Sequence, residues 1–209
     1  MLVFFKKWTI CVLLLLTASA SAYSAPKTVL VLGDSLSAEY GLERGTGWVA
    51  LLDQRLKSQK IDAHIVNASI SGETTSGGRA RLPALLDQYH PAIVVVELGA
   101  NDGLRGLDVG AAGANLRAML TAAKEHHAKV LLVGMRMPPN MGRDYTERFF
   151  ALYPAVAKEF KAALVPFMLE GVADKPALFQ ADRLHPTAAA HPTILANIWP
   201  PLSNLVKAR

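Results

Sequence analysis

From Thr28 onward the chain alternates short, wholly apolar runs with longer stretches of helical periodicity. Thr28–Leu32 (TVLVL) predicts a buried first strand that stops at Gly33-Asp34-Ser35. Trp48, Leu51, Leu52, Arg55 and Leu56 then recur at helical spacing through Ser58. Ala63–Val66 predicts a second strand, followed by a polar stretch over Asn67–Gly78 and a helix over Arg79–Gln88. Ala92–Leu98 (AIVVVEL) is the most buried-looking strand, and Val109–His126 reads as a long alanine- and leucine-rich helix. Lys129–Val133 predicts a fourth strand and Pro138–Gly142 a turn. Tyr145–Phe160 is a further helix, Ala163–Phe167 a fifth strand, and Thr187–Val206 a last helix interrupted by prolines.

Strands that are apolar along their whole length must be covered on both faces, and strands separated by helices are joined in parallel. The expected fold is therefore α/β: a three-layer α/β/α sandwich around a five-stranded parallel sheet of flavodoxin-like winding. In such sheets the functional groups collect beyond the carboxyl ends of the strands.

The segment before Thr28 has a different character. Lys6 and Lys7 precede the apolar run Trp8–Leu16, which passes into the small residues Thr17–Ala22. That is the order of a secretory signal peptide, with an apolar core short for a membrane span. Cleavage is expected after Ala22, since a cut after Ala25 would set bulky Tyr23 at −3 and Pro26 just past the bond. An uncleaved anchor is the alternative. The expected organisation is thus a signal peptide over residues 1–22 and one domain over 23–209, periplasmic or secreted. Cys11, the only cysteine, goes with the signal, so the mature domain has no disulfide or thiol nucleophile. Without Lys6 and Lys7, 20 basic residues face 17 acidic ones, a balance too mild and scattered to argue for nucleic acid.

Four polar clusters stand at the expected strand ends or in the terminal loop. Ser35, on a tight turn after the first strand, reads equally as a nucleophile or as the cap of a following helix. Its setting is neither a Gly-x-Ser-x-Gly elbow, since Ser37 replaces the second glycine, nor a P-loop or dinucleotide fingerprint. Gly72 lies in ASISGET after the second strand, where a backbone N–H could approach a ligand or simply form a surface turn. Asn67-Ala68-Ser69 matches a glycosylation sequon. Asn101, in GAND after the third strand, is either a donor to a developing oxyanion or the closer of an Asx turn.

Asp182 and His185 are three apart, so in a helical turn the carboxylate would orient one ring nitrogen and free the other for a serine proton. His191 shares the His-Pro context but has Ala188 at −3. His126 and His127 fall at a helix end, and His64 and His90 stand outside the four clusters. Together the clusters supply nucleophile, base, orienter and oxyanion donors. No cysteine, histidine or acidic ligand cluster suggests a metal.

These residues resemble the four sequence blocks of the GDSL (SGNH) hydrolase family, in order: GDSLS at 33–37, Gly72, GAND at 99–102 and DRLHP at 182–186. The resemblance runs from Thr28 to Pro201 and is nearest the secreted bacterial thioesterase I/lysophospholipase/arylesterase subgroup. It implies Ser35 as nucleophile, His185 as general base and then acid, and Asp182 as its orienter. It also implies an oxyanion hole from the Ser35 and Gly72 backbone N–H groups and the Asn101 side chain. Arg183 and Leu184 vary the filler of the last block, which leaves the chemistry intact but could alter the rim of the site.

The implied substrates are small acyl esters, acyl thioesters and lysophospholipids, hydrolysed through an acyl-serine by a monomer without cofactor, with a membrane only as a source of lipid. The loops Leu104–Leu107 and Met135–Met141 either wall the acyl groove or pack as core. A carbohydrate deacetylase could use the same triad, and a non-enzymatic flavodoxin-like domain could bind phosphate at the Gly33 loop. The second alternative leaves the Asp182–His185 pair without a task.

Overall fold

The computed structural model describes residues 26–208. The expected signal peptide, with Lys6, Lys7, Cys11 and the cleavage position at Ala22, lies outside them, as does the domain's first residue Tyr23.

The five strands are β1 (Lys27–Gly33), β2 (Ala63–Asn67), β3 (Ile93–Glu97), β4 (Lys129–Val133) and β5 (Ala163–Val165). They form one all-parallel sheet in the order β2-β1-β3-β4-β5. The helices between and after them are α1 (Trp48–Ser58), α2 (Thr75–Tyr89), α3 (Ala100–Leu104), α4 (Val109–Glu125), α5 (Arg143–Phe160) and α6 (His191–Lys207). α1 packs against α6, while α2, α4 and α5 pack side by side. Right-handed crossovers explain the division: the chain steps one way from β1 to β2, then reverses for β3, β4 and β5. The winding reverses between β1 and β3, which places the crevice for a site beyond Gly33 and Glu97.

The central strands are apolar because both faces are covered. Val29–Leu32 of β1 and Val94–Val96 of β3 have no exposed surface. The exception is Glu97, a carboxyl that is 2% exposed at the end of β3.

Several elements differ from expectation. α2 begins at Thr75, not Arg79, because two acceptors satisfy its first N–H groups. The Thr74 hydroxyl accepts from Gly77 N, and Asp102, distant in sequence, accepts from Thr75 N at 2.8 Å. Residues Ala100–Leu104, expected as loop, form the short helix α3. The last helix starts at His191 after a 3-10 turn over Ala188–Ala190, then runs unbroken through Pro200-Pro201. Its apolar stripe of Ile194, Leu195, Ile198, Leu202 and Val206 is buried, and that packing outweighs the two missing N–H groups. β5 is shorter than expected, since Pro166 cannot donate to the ladder.

No helix among the described residues is long and apolar enough to cross a membrane.

Candidate active site

The chain leaves β1 through a narrow gap. A Cβ on Gly33 would lie 2.7 Å from both a Glu97 carboxyl oxygen and the Ser37 hydroxyl, so only glycine fits. Asp34 then turns the chain: its Oδ1 accepts from Leu36 N at 3.0 Å, and its carbonyl accepts from Ser37 N and Ala38 N. The capping task weighed for Ser35 thus falls to Asp34. The Ser35 side chain faces His185, with Oγ 2.9 Å from Nε2.

His185 Nδ1 lies 2.6 Å from Asp182 Oδ2. The pair does not sit in the expected helical turn. Asp182 forms an Asx-type turn in which its Oδ1 accepts from Leu184 N at 2.9 Å and His185 N at 3.0 Å, with Arg183 in the left-handed region at φ +59°. The backbone bonds from His185 and Leu184, followed by the imidazole bond, lower the Asp182 pKa to about 2. An ionised carboxylate only accepts, so the proton resides on Nδ1 and a neutral ring offers Nε2 as acceptor to the serine hydroxyl.

Two further contacts steady this loop. Gln180 Nε2 donates to Tyr40 O and to Pro186 O, each at 3.0 Å, tying the histidine turn to the serine turn. The Tyr40 ring packs on the imidazole with centroids 4.4 Å apart.

Gly72 has φ +80° and holds its carbonyl toward Arg105 Nη2 at 3.0 Å. The backbone N–H groups of Ser35 and Gly72 donate to no acceptor among the described residues. Asn101, in the first turn of α3, donates through Nδ2 to Asp34 Oδ2 at 3.0 Å and to Glu73 O at 2.9 Å. It therefore links the turns that carry Ser35 and Gly72. Ser35, Asn101 and His185 share one cleft, whereas Gly72 stands beside it, not in its lining.

Beneath the triad lies a buried carboxyl pair that motif reading missed. Asp34 is fully buried and its pKa is raised to about 6 by that burial, against the lowering bonds from Leu36 and Asn101. Glu97 is pushed well above the carboxylate range by burial and by the Asp34 charge. The Glu97 carboxyl meets Ser37 Oγ at 2.6 Å, and Ser37 accepts from the Trp48 indole N–H. The signal was present in the sequence as one acid inside the apolar run AIVVVEL.

Other residues have structural tasks. Asn67 of the sequon donates to Ser37 O at 2.8 Å, so its amide is engaged in holding the serine turn. Asp102 accepts from both Thr75 N and Thr75 Oγ1 and joins α3 to α2. His191 is buried, and its Nδ1 accepts from Trp48 N at 3.0 Å, capping α1 from 143 residues away. His126 ends α4 and His90 ends α2, both as helix C-caps.

The cleft measures about 520 Å3. Leu104 and Met135–Pro139 line it, while Leu107 does not. Met135 and Met137 are 5% and 7% exposed, so these two are wall and core at once. No group of three potential metal ligands occurs among the described residues.

A model of the GDSL-like lipase/acylhydrolase family matches residues 31–192. The chain is 52% identical over 194 residues to "Esterase TesA" of Pseudomonas aeruginosa, covering 93% of this chain and 94% of that protein. It is 47% identical over 182 residues to "Thioesterase 1/protease 1/lysophospholipase L1" of Escherichia coli K12, covering 87% and 85%. The crystal structure of TesA superposes with a TM-score of 0.84 at 52% identity, over 86% of this chain and 99% of that one.

Proposed function

The chain belongs to the GDSL-like lipase/acylhydrolase family, and from that premise we propose that it is a serine hydrolase cleaving acyl esters, acyl thioesters and lysophospholipids through an acyl-serine. The observation that carries this reading is the relay from Asp182 through His185 to Ser35, with contacts of 2.6 and 2.9 Å, opening on an apolar cleft.

Ser35 Oγ attacks the acyl carbon as His185 Nε2 takes its proton. Asp182 stabilises the resulting imidazolium without itself being protonated. The oxyanion of the tetrahedral intermediate lies toward the Ser35 and Gly72 N–H groups and the Asn101 amide. His185 then returns its proton to the departing oxygen or sulfur, leaving the acyl-serine, and water repeats the sequence to release the acid. Leu36, Leu104, Met135 and Phe167 supply apolar surface for the acyl chain. An acetyl group would leave most of that surface in water, which favours longer acyl substrates over acetylated sugars. The Gly33 turn is also unsuited to phosphate: the N–H groups of Asp34, Leu36, Ser37 and Ala38 are all engaged internally.

The test is a fluorophosphonate adduct mapped by mass spectrometry together with a panel of acyl ester, acyl thioester, lysophospholipid and acetylated sugar. Labelling at Ser35 with turnover of the first three is expected. An adduct on another serine, or turnover of the acetylated sugar alone, overturns the assignment.

We further propose that residues 1–22 direct export to the periplasm or beyond and are removed after Ala22, on the Lys6-Lys7, apolar run, Ala20-x-Ala22 order. N-terminal sequencing of the exported protein is expected to begin at Tyr23; a start at Met1 overturns the processing.

A further inference from the structure

The cleft that holds Ser35 and His185 has apolar walls but is also lined by two arginines, Arg136 and Arg183. Neither forms an ion pair with a carboxylate among the described residues. The nearby acids are already engaged: Asp34 accepts from Leu36 and Asn101, and Asp182 holds the imidazole. Both arginines are exposed, so their charge acts outward on whatever enters.

The Arg136 guanidinium is held by aromatic rings, and Arg183 occupies an uncommon backbone position on the histidine turn. The Arg136 guanidinium carbon lies 3.8 Å from the Phe150 ring centroid and 5.6 Å from that of Phe167, which itself lines the cleft. A guanidinium held over aromatic rings loses less freedom on binding and keeps edge N–H donors for a bidentate anion. Arg183 adopts φ +59°, a backbone position that glycine fills with less strain. It stands two residues before His185, on the turn that delivers the proton to the leaving group. A leaving group that takes its proton from His185 does so beside this turn, and Arg183 lines the same cleft.

We propose that Arg136 and Arg183 form an anion subsite for a phosphate carried by the leaving group. The subsite makes the enzyme favour phosphate-bearing thioesters and esters over neutral ones with the same acyl chain. An apolar wall for the chain and two cations for a phosphate suit an anionic amphiphile. The phosphate could belong to a coenzyme A thiol or to a lysophospholipid headgroup. This rests on the esterase reading above.

The experiment compares kcat/KM on four decanoyl substrates: the coenzyme A thioester, the neutral N-acetylcysteamine thioester, lysophosphatidylglycerol and monodecanoylglycerol. Unmodified enzyme is set against Arg136→Gln, Arg183→Gln, their combination, and the Arg183→Lys variant. The double variant is expected to lose about 10- to 100-fold on phosphate-bearing substrates, chiefly through KM, and far less on neutral ones. Arg183→Lys should recover part of the loss, and added salt should erode the preference in unmodified enzyme. Loss on both phosphate substrates supports a shared subsite; loss on only one supports the subsite and names its source. An unchanged ratio of charged to neutral turnover in the double variant overturns the proposal. If the unmodified enzyme cleaves none of the four, the esterase reading itself fails, whatever the arginines do.

Discussion

Asn101 donates its side-chain amide to the Asp34 carboxylate at 3.0 Å, across the crevice between the ends of β1 and β3. The same nitrogen donates to Glu73 O at 2.9 Å. Both amide hydrogens are thus spoken for before any substrate arrives. A donor held by a buried carboxylate and a carbonyl cannot swing away, so its position is set in advance. On the proposed path an incoming oxyanion would share or displace one of these acceptors, an exchange most favourable where negative charge is greatest.

Asn101→Ala is accordingly expected to lower kcat roughly 100-fold or more while changing KM much less, because the donor acts chiefly on the transition state. Steady-state kinetics on a neutral acyl thioester provides the measurement. A near-normal kcat removes Asn101 from the mechanism.

Asp34 gives a prediction about pH. Burial raises its pKa in the folded protein to about 6 from 3.8. The folded state therefore binds more protons than the unfolded state between those values, and stability falls as pH rises through that window. The full cost, about 3 kcal/mol, is present above pH 6 and absent below 3.8. Asp34→Asn removes this slope. The amide also presents an N–H where either Leu36 or Asn101 needs an acceptor, a penalty that is the same at every pH. Urea unfolding from pH 4 to 7 should show the variant gaining on the unmodified protein as pH rises; parallel curves would refute the buried charge.

His191 acts in the opposite sense. Burial lowers its pKa from 6.5, against the pull of Glu39, and its Nδ1 must stay unprotonated to accept from Trp48 N. The unfolded state then takes up the proton first, so stability is lost as pH falls below about 6.5. His191→Gln keeps an acceptor for the start of α1 without a titrating group and should flatten that acid loss. His191→Ala leaves the helix N–H unpaired and should cost about 1 kcal/mol at neutral pH. Equal acid sensitivity in His191→Gln and the unmodified protein would contradict this account.

Legibility in the sequence followed the range of the interactions. The strands could be read because burial on both faces leaves a run such as TVLVL no polar option, and alternation with helices then dictates a parallel sheet. Ser35, Asn101, Asp182 and His185 could be marked as candidates because each lies at a strand end or in the terminal loop. The start of α2 could not, because its cap includes Asp102, 27 residues from Thr75. The same holds for His191, whose partner is 143 residues away, and for Gln180, which reaches Tyr40 across 140. The continuity of the last helix was hidden for the reverse reason: local proline chemistry predicts an interruption, and tertiary burial of the apolar stripe prevails over it.

The relay itself is tested by combining substitutions. His185 Nε2 meets the Ser35 hydroxyl at 2.9 Å, and every proton transfer on the proposed path passes through that nitrogen during attack on or release from Ser35. Once either partner is gone, the other has no remaining task. Ser35→Ala and His185→Ala should therefore each abolish most hydrolysis, and the double variant should be little worse than either alone. Asp182→Asn should also impair kcat, since an amide N–H facing Nδ1 favours the ring tautomer that leaves Nε2 unable to accept. His191→Gln serves as the control: it also alters a histidine followed by proline, but one that faces Trp48 instead of the serine. The measurement is kcat on a neutral thioester for all five proteins. Additive losses in Ser35→Ala/His185→Ala, or a His191→Gln enzyme as crippled as His185→Ala, would show that the proton does not move along this path.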